Sequence, residues 1–246
     1  VLSLMGKAGD PSSGARQTPS HFSLRRVNAV SQSAPVATQC VHASGIGLAI
    51  KMKKTNQVVL TTLGEGSTSQ GEWYEAVNWA AIHQLPVVFL VQNNQYAISV
   101  PPEMQMAVKS VADKACGLGL PGISIDGTDV FGVYKSFLEA FETARSGNGP
   151  TLIEAKMYRL TPHSSDDDDR TYRSREEVEE HKKKDPLLLA RQVLLEKSVA
   201  TEAELDTLDK KAKEMITEAV NFGEQAPYPK AEEGMHPVYF EEVQHG

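Results

Sequence analysis

Residues 57–94 read QVVLTTLGEGSTSQGEWYEAVNWAAIHQLPVVFLVQNN, and the fold class turns on them. The run NQVVLTTL, 56–63, is apolar with β-branched residues, as a strand buried on both faces requires. A turn with Glu65 between Gly64 and Gly66 follows. Ser69 and Glu72 match the S-x-x-E capping box, which predicts a helix start. Trp73, Ala76, Val77, Ala80 and Ala81 then recur at i, i+3, i+4, i+7 and i+8, one helical stripe. LPVVFLVQ is a second buried strand, ending at Asn93-Asn94. Strand, crossover helix and strand of this length predict a parallel pair.

The same alternation extends outward. ATQCVHASGIGLAIKMK, 37–53, carries small residues at helical spacing and predicts a helix packed closely on a neighbour. GISIDG and TLIEAKMY read as further strands, with a helix over 130–145 between them. The fold class is therefore α/β: a doubly wound parallel sheet with flanking helices and a helical C-terminal region. Residues 7–35 are rich in Gly, Ser and Pro and read as loop. Ser174 with Glu177, and Thr201 with Glu204, are two more capping boxes, and no strand lies between the charged helices they open. The division expected is an α/β domain over 1–172 and a helical extension and tail over 173–246, in the same domain or as an appendage. The tail from Ala226 reads as irregular.

With 246 residues, the chain suffices for one large domain or a domain with an appendage. A formal net charge of -7 argues against a nucleic-acid binder. No run reaches the roughly 18 apolar residues of a membrane span. Cys40 and Cys116 form no CxxC, so a disulfide scaffold is not expected; both read as small core residues. The chain starts at Val1 and its first residues read as the middle of a longer protein, so upstream residues are expected to be missing.

In open α/β sheets, ligands bind beyond the carboxyl ends of the strands. Glu65 and Asn94 follow successive strands, and 26 residues separate Gly66 from Asn93. If the strands are neighbours, the two side chains converge. A carboxylate, an amide oxygen and a backbone carbonyl suit Mg²⁺ with phosphate oxygens, and glycine-flanked amides at a helix start suit a diphosphate. The bland alternative is that Glu65 caps the following helix.

GEG, about 25 to 30 residues, then NN resembles the thiamine diphosphate motif. With SAPVATQ, IDGTDVFGVY, LIEAKMYRLTPHSSDDDDRTYR and KKDPL, the chain resembles the alpha subunits of branched-chain 2-oxo acid dehydrogenases from about Gly14 to Tyr172, and more weakly to the C-terminus. That resemblance implies a thiamine diphosphate fold, with Mg²⁺ on Glu65, Asn94 and the Tyr96 carbonyl. It implies that Gly64, Gly66 and Ser67 meet the diphosphate and that Val36 meets the aminopyrimidine. Ser33, Pro35, Thr38 and Gln39 match a potassium-binding turn. His163 matches the active-site histidine beside the cofactor, and Ser164 a serine phosphorylated in mitochondrial relatives. Arg159, Asp167, Tyr172 and Arg173 match a loop that orders over the cofactor and presents the lipoyl domain; Asp167 is expected to pair with Arg159 or Arg173. The implied partners are a beta subunit (two alpha, two beta), which supplies a glutamate to the cofactor's pyrimidine, the lipoyl domain of the acyltransferase, and a 2-oxo acid. The implied reaction is oxidative decarboxylation of branched-chain 2-oxo acids (EC 1.2.4.4), in bacterial cytoplasm or in the mitochondrial matrix if a transit peptide was lost.

Two departures stand out. Gln92 occupies a position where relatives often carry an Arg that reaches the diphosphate, and no upstream Tyr-Arg phosphate clamp is found. Other readings stay open: a pyruvate or acetoin dehydrogenase alpha chain, or an interaction module that kept only the fold. His163 also fits a solvated loop, Asp166 to Asp169 a solvated acidic face, and Ser33 and Thr38 plain turns. His42 and His83 read as structural.

Overall fold

Four short runs of β-branched and large apolar residues form the sheet of the computed structural model, which describes residues 1–12, 21–31 and 33–235. They are β1 (Val59–Gly64), β2 (Val87–Asn93), β3 (Gly122–Asp126) and β4 (Thr151–Lys156), all parallel, in the order β1-β2-β4-β3. Alternate residues of β2 and β4 feed two cores. Val87, Phe89, Val91 and Leu152 join a core with α1 (Thr38–Lys53), α2 (Gly71–Ile82) and α4 (Ala112–Gly117). Val88 and Ile153 pack on the other face against Ala140 of α5 (Val130–Arg145). The strand order explains the split. The β1–β2 and β2–β3 connections advance across the sheet, whereas β3–β4 steps back. Crossovers of one hand put a returning helix on the opposite face. The sheet is doubly wound, as expected.

The small-residue helix α1 packs as closely as its sequence suggests. A Cβ on Gly47 would lie 2.7 Å from Val87 Cγ2, and Ser44 Oγ donates to the Ala76 carbonyl at 3.0 Å. Trp73, Ala76, Val77 and Ala80 are buried on α2; Ala81 is half-buried at the edge of the same core. Cys40 is wholly buried, and burial pushes its thiol up to about 12. Cys116 is exposed at the end of α4, not in the core as expected, because α4 presents Ala115 inward instead.

Two of the three capping boxes are corrected. The chain over Glu65–Ser69 makes a 3-10 turn that absorbs Ser69, and extended Gln70 becomes the N-cap of α2 with no side-chain cap bond. Ser69 Oγ accepts from Gln105 Nε2 at 2.5 Å. Gln105 ends the short helix α3 (Pro102–Gln105). At α6 (Arg175–Lys182), Ser174 Oγ does accept from the Glu177 amide at 3.0 Å, but two tyrosines draw the Glu177 carboxylate away, so the box is half made. The box at α8 (Glu202–Gln225) is complete, with Thr201 and Glu204 bonded reciprocally.

The chain divides into two compact units, 35–199 and 1–34 with 200–246. The first holds the sheet, α1 to α6, and α7 (Pro186–Glu196). In the second, α8 packs with the N-terminal segment: Lys7 Nζ donates to the Glu224 and Ala226 carbonyls at 3.3 and 2.9 Å. The tail makes a 3-10 turn at Ala231–Met235; residues 236–246, like Gly14 at the start of the resemblance, lie outside the described residues. No helix among the described residues is long and apolar enough to cross a membrane.

Candidate active site

Gly64 ends β1 opposite Gln92 of β2, so the two turns that follow share one edge. Glu65 enters the first turn and is 1% exposed. Its Oε2 accepts from the Asn94 N–H at 3.2 Å, while its Oε1 is buried with no hydrogen-bond partner among the described residues. Burial therefore raises its pKa, against the opposing pull of its own and Asn94's backbone N–H groups and of Arg159. Thr68, wholly buried, donates from Oγ1 to the Glu65 carbonyl at 2.6 Å and accepts from Lys114 Nζ at 2.9 Å. Gly66 is required: a Cβ there would meet Ala97 Cβ at 2.5 Å.

The second turn is built from side-chain amides. Asn93, 2% exposed, donates from Nδ2 to Glu154 Oε1 at 2.7 Å, and its Oδ1 accepts from the Gln95 N–H and Nε2 at 3.2 and 3.3 Å. Gln95 sits at φ +73°, a left-handed conformation that such side-chain bonds stabilise. Asn94 Oδ1 accepts from the Tyr96 N–H at 3.2 Å. The Tyr96 carbonyl accepts from Arg159 Nη1 at 3.0 Å.

Arg159 is the hub of the next shell. Its Nη2 donates to the Ile98 carbonyl at 2.6 Å and to Tyr172 Oη at 2.9 Å. Tyr172 donates onward to Asp167 Oδ2 at 2.5 Å, and that oxygen also accepts the His163 backbone N–H at 2.8 Å. Asp167 is thus held below the usual carboxylate range by Tyr172 first and His163 second. The expected Asp167–arginine pair is corrected: the Tyr172 hydroxyl stands between Arg159 and Asp167. Arg173 is buried and pairs with Asp169 at 2.6 Å, and it donates to the Arg159 carbonyl. Asp166 and Asp168 are exposed as a solvated face would be; Asp169 is not.

Glu65, Asn94, Tyr96, Arg159, Tyr172 and Asp167 therefore form one continuous network. His163 joins it only through its backbone and is exposed, as is Ser164, whose carbonyl accepts from Asp167 N–H. Ser67 closes the 3-10 turn by accepting from Gln70. Val36 is exposed just before α1. Gln39 donates to the Thr62 carbonyl at 3.1 Å, and its Oε1 is buried without a partner. Pro35, Thr38 and Gln39 belong to the sheet's unit and Ser33 to the other. His42 is exposed on α1, and the His83 ring lies 4.1 Å from Trp79.

The donor set fits a hard cation. Glu65 Oε1 is unpartnered, and Asn94 Oδ1 and the Tyr96 carbonyl each accept one bond and keep a second lone pair. No cluster of three or more His, Cys, Asp or Glu occurs among the described residues, so the set rests on one carboxylate with neutral oxygens.

Sequence reasoning missed Asn93, Ser110, Glu154, Tyr158, Asp169 and Glu177. Tyr96 and Tyr158 both donate to Glu177 Oε1, at 3.0 and 2.8 Å, and burial followed by Glu177 pushes Tyr96 up to about 12. His181 stacks on Tyr158 at 3.8 Å. These residues with Asp126 and Lys156 line a cleft of about 720 Å³ beyond β3 and β4, which shares Tyr96 with the Glu65 site. One signal was legible: Glu154 is the single charge within an otherwise apolar strand core, TLIEA.

The dehydrogenase E1 component family matches residues 1–232. The chain is 47% identical over 239 residues to the 2-oxoisovalerate dehydrogenase subunit alpha of Bacillus subtilis, covering 97% of this chain and 72% of that protein. It is 41% identical over 209 residues to the 3-methyl-2-oxobutanoate dehydrogenase subunit alpha of Mycobacterium tuberculosis, covering 85% and 57%. It is also 41% identical over 195 residues to the pyruvate dehydrogenase E1 component subunit alpha of Staphylococcus aureus, covering 79% and 53%. The chain thus spans a little over half to nearly three quarters of these relatives' lengths. It belongs to the dehydrogenase E1 component family.

Proposed function

We propose that the chain is the alpha subunit of a thiamine diphosphate-dependent branched-chain 2-oxo acid dehydrogenase. The carrying observation is the buried Glu65 with its unpartnered Oε1 beside the Asn94 turn. A carboxylate pushed toward its neutral form by burial recovers its charge when a divalent cation meets it. In this reading Glu65, Asn94 and the Tyr96 carbonyl hold Mg²⁺, and the N–H groups of Gly66 and Ser67 receive the diphosphate, with Gly64 leaving room beside them. Val36 offers its backbone to the aminopyrimidine. Gln39 Oε1, buried and without a partner among the described residues, supports a potassium ion on the turn of Pro35, Thr38 and Gln39. Gln92 carries no charge toward the phosphates, which leaves Mg²⁺ as the cation supplied by this turn.

When bound, thiamine diphosphate supplies the nucleophilic carbon and the electron sink for loss of CO₂. The chain's residues bind, orient and move protons. His163 exchanges a proton with the reacting oxygen, and Ser164 flanks it as a modification position. Arg159, Asp167, Tyr172 and Arg173 keep the loop ordered so that a lipoyl domain can approach. A beta subunit completes the site, and the acyl group leaves to the lipoyl group of an acyltransferase. The bacterial relatives favour the cytoplasmic over the mitochondrial reading.

The identity to a pyruvate dehydrogenase subunit keeps that substrate as the second reading. The test is dye-coupled decarboxylation by the full-length chain with its beta partner. Turnover of 3-methyl-2-oxobutanoate that needs both thiamine diphosphate and Mg²⁺ supports the proposal. Preference for pyruvate transfers the chain to the second reading. No turnover and no cofactor binding by calorimetry leaves an interaction module.

A further inference from the structure

Glu154 is an anomaly. It is wholly buried in the centre of β4, between β2 and β3, with no arginine, lysine or histidine among the described residues bonded to it. A carboxylate there is costly unless donors surround it. They do: Asn93 Nδ2 donates to one oxygen at 2.7 Å and the Ser110 hydroxyl to the other, and the Val111 N–H and Ser124 side chain add to their pull. Burial alone would raise the Glu154 pKa, yet these donors outweigh it and leave it lowered, so the group is ionised at neutral pH.

An ionised carboxylate only accepts hydrogen bonds. It therefore dictates which way the Asn93 amide faces: NH₂ toward Glu154, oxygen toward the turn. That oxygen takes the Gln95 N–H and holds Gln95 in its left-handed conformation. The residues on either side are Asn94, whose N–H meets Glu65 Oε2, and Tyr96, whose N–H bonds Asn94 Oδ1. Resting on the functional reading above, we infer that Glu154 is a positioning residue for the cofactor's metal, acting through the orientation of the Asn93 amide. The register partners of Glu154 are Val91 on β2 and Ser124 on β3.

The test uses Glu154→Gln in the full-length chain with its beta partner. An amide offers a donor as well as an acceptor. A glutamine can therefore pair with the Asn93 amide in either orientation, and the Asn93 NH₂ is no longer held toward residue 154. The expected result is Mg²⁺–thiamine diphosphate binding weakened about 10- to 100-fold by calorimetry, the range for residues that orient metal ligands. At saturating cofactor kcat changes little, and KM for the 2-oxo acid stays the same. In the cofactor-free protein the Gln95 and Tyr96 amides exchange hydrogen faster, with β1 and β3 unchanged. Asn93→Ala weakens binding similarly, and the double variant is no weaker than Asn93→Ala alone. If Glu154→Gln does not fold, Asn93→Ala carries both readouts. Wild-type binding in the variants, with only a lowered melting temperature, overturns the inference. If the wild-type protein binds no cofactor, the functional reading has failed, and exchange at Gln95 and Tyr96 decides alone: faster exchange in the variant upholds the positioning, unchanged exchange overturns it.

Discussion

Glu65 and Glu154 are both almost wholly removed from solvent, in or just beyond the same sheet, yet their environments push them opposite ways. Glu154 has a donor on each oxygen and stays ionised. Glu65 has an oxygen with none among the described residues, and burial first, with the Glu154 charge adding to it, drives it toward the neutral acid. The difference lies in what surrounds each one. Glu154 is enclosed by side chains from β2, β3 and the segment before α4, all of which the fold itself supplies. Glu65 lies just beyond the strand ends, where the fold leaves its Oε1 without a hydrogen-bond partner among the described residues. Burial alone does not mark a carboxylate that meets a ligand directly; incomplete satisfaction does.

The largest effect expected is from Glu65→Gln. Losing the one carboxylate of the metal set lowers Mg²⁺–thiamine diphosphate affinity by on the order of 100-fold or more, since even residues that merely orient ligands are worth about 10- to 100-fold. In cofactor-free protein the same change leaves the melting temperature equal or higher, because a poorly satisfied carboxylate is removed. A clear drop in that temperature would erase the contrast with Glu154. Gly66→Ala comes next. The added Cβ must displace Ala97, costing about 1–3 kcal/mol of stability and loosening the diphosphate turn. Chemical denaturation reads the first part and calorimetry of cofactor binding the second.

The pH dependence of the cofactor-free protein sharpens the comparison. The folded pKa of Glu65 is raised, so its contribution is fully present below the unfolded value and is lost as pH rises through the folded one. The folded pKa of Glu154 is lowered, so its contribution is present above the unfolded value and is lost as pH falls through the folded one. Thermal melts should show Glu65→Gln gaining on wild type as pH rises above the ordinary carboxylate value, whereas the deficit of Glu154→Gln stays level there and closes only as pH falls below that value. Parallel curves for the two variants would show that the environments do not differ as described. The smallest effect is a control outside both carboxylates. Ser174→Ala removes the α6 N-cap bond, costs about 1 kcal/mol, and leaves cofactor binding unchanged.

The central strands β2 and β4 were legible because both their faces are covered, whereas β1, read as buried on both faces, exposes alternate residues as β3 does. Apolar runs such as VVFLV and TLI have no other stable fate in a chain of this composition. The helix over 130–145 was read to the residue because its amphipathic period is strong and Asp129 caps it. The capping boxes were less legible, since a cap depends on competitors that a local pattern does not contain. Ser69 was taken up by a 3-10 turn and Gln105, and the Glu177 carboxylate by Tyr96 and Tyr158, 81 and 19 residues away in sequence. The Tyr172 bridge between Arg159 and Asp167 failed to appear for the same reason: charges suggest a pair, but a hydroxyl at the right depth intercepts it.

The sequence by itself determined the strand and helix periods, the left-open GEG turn and the NN pair one crossover later, because these depend on backbone preference and local spacing. Only the tertiary structure decided which of the buried acids is left unsatisfied, which way the Asn93 amide faces, and which partners Asp167 and Glu177 take. Hydrogen-bond satisfaction is a property of every group that can reach an atom, and most of those groups arrive from distant parts of the chain.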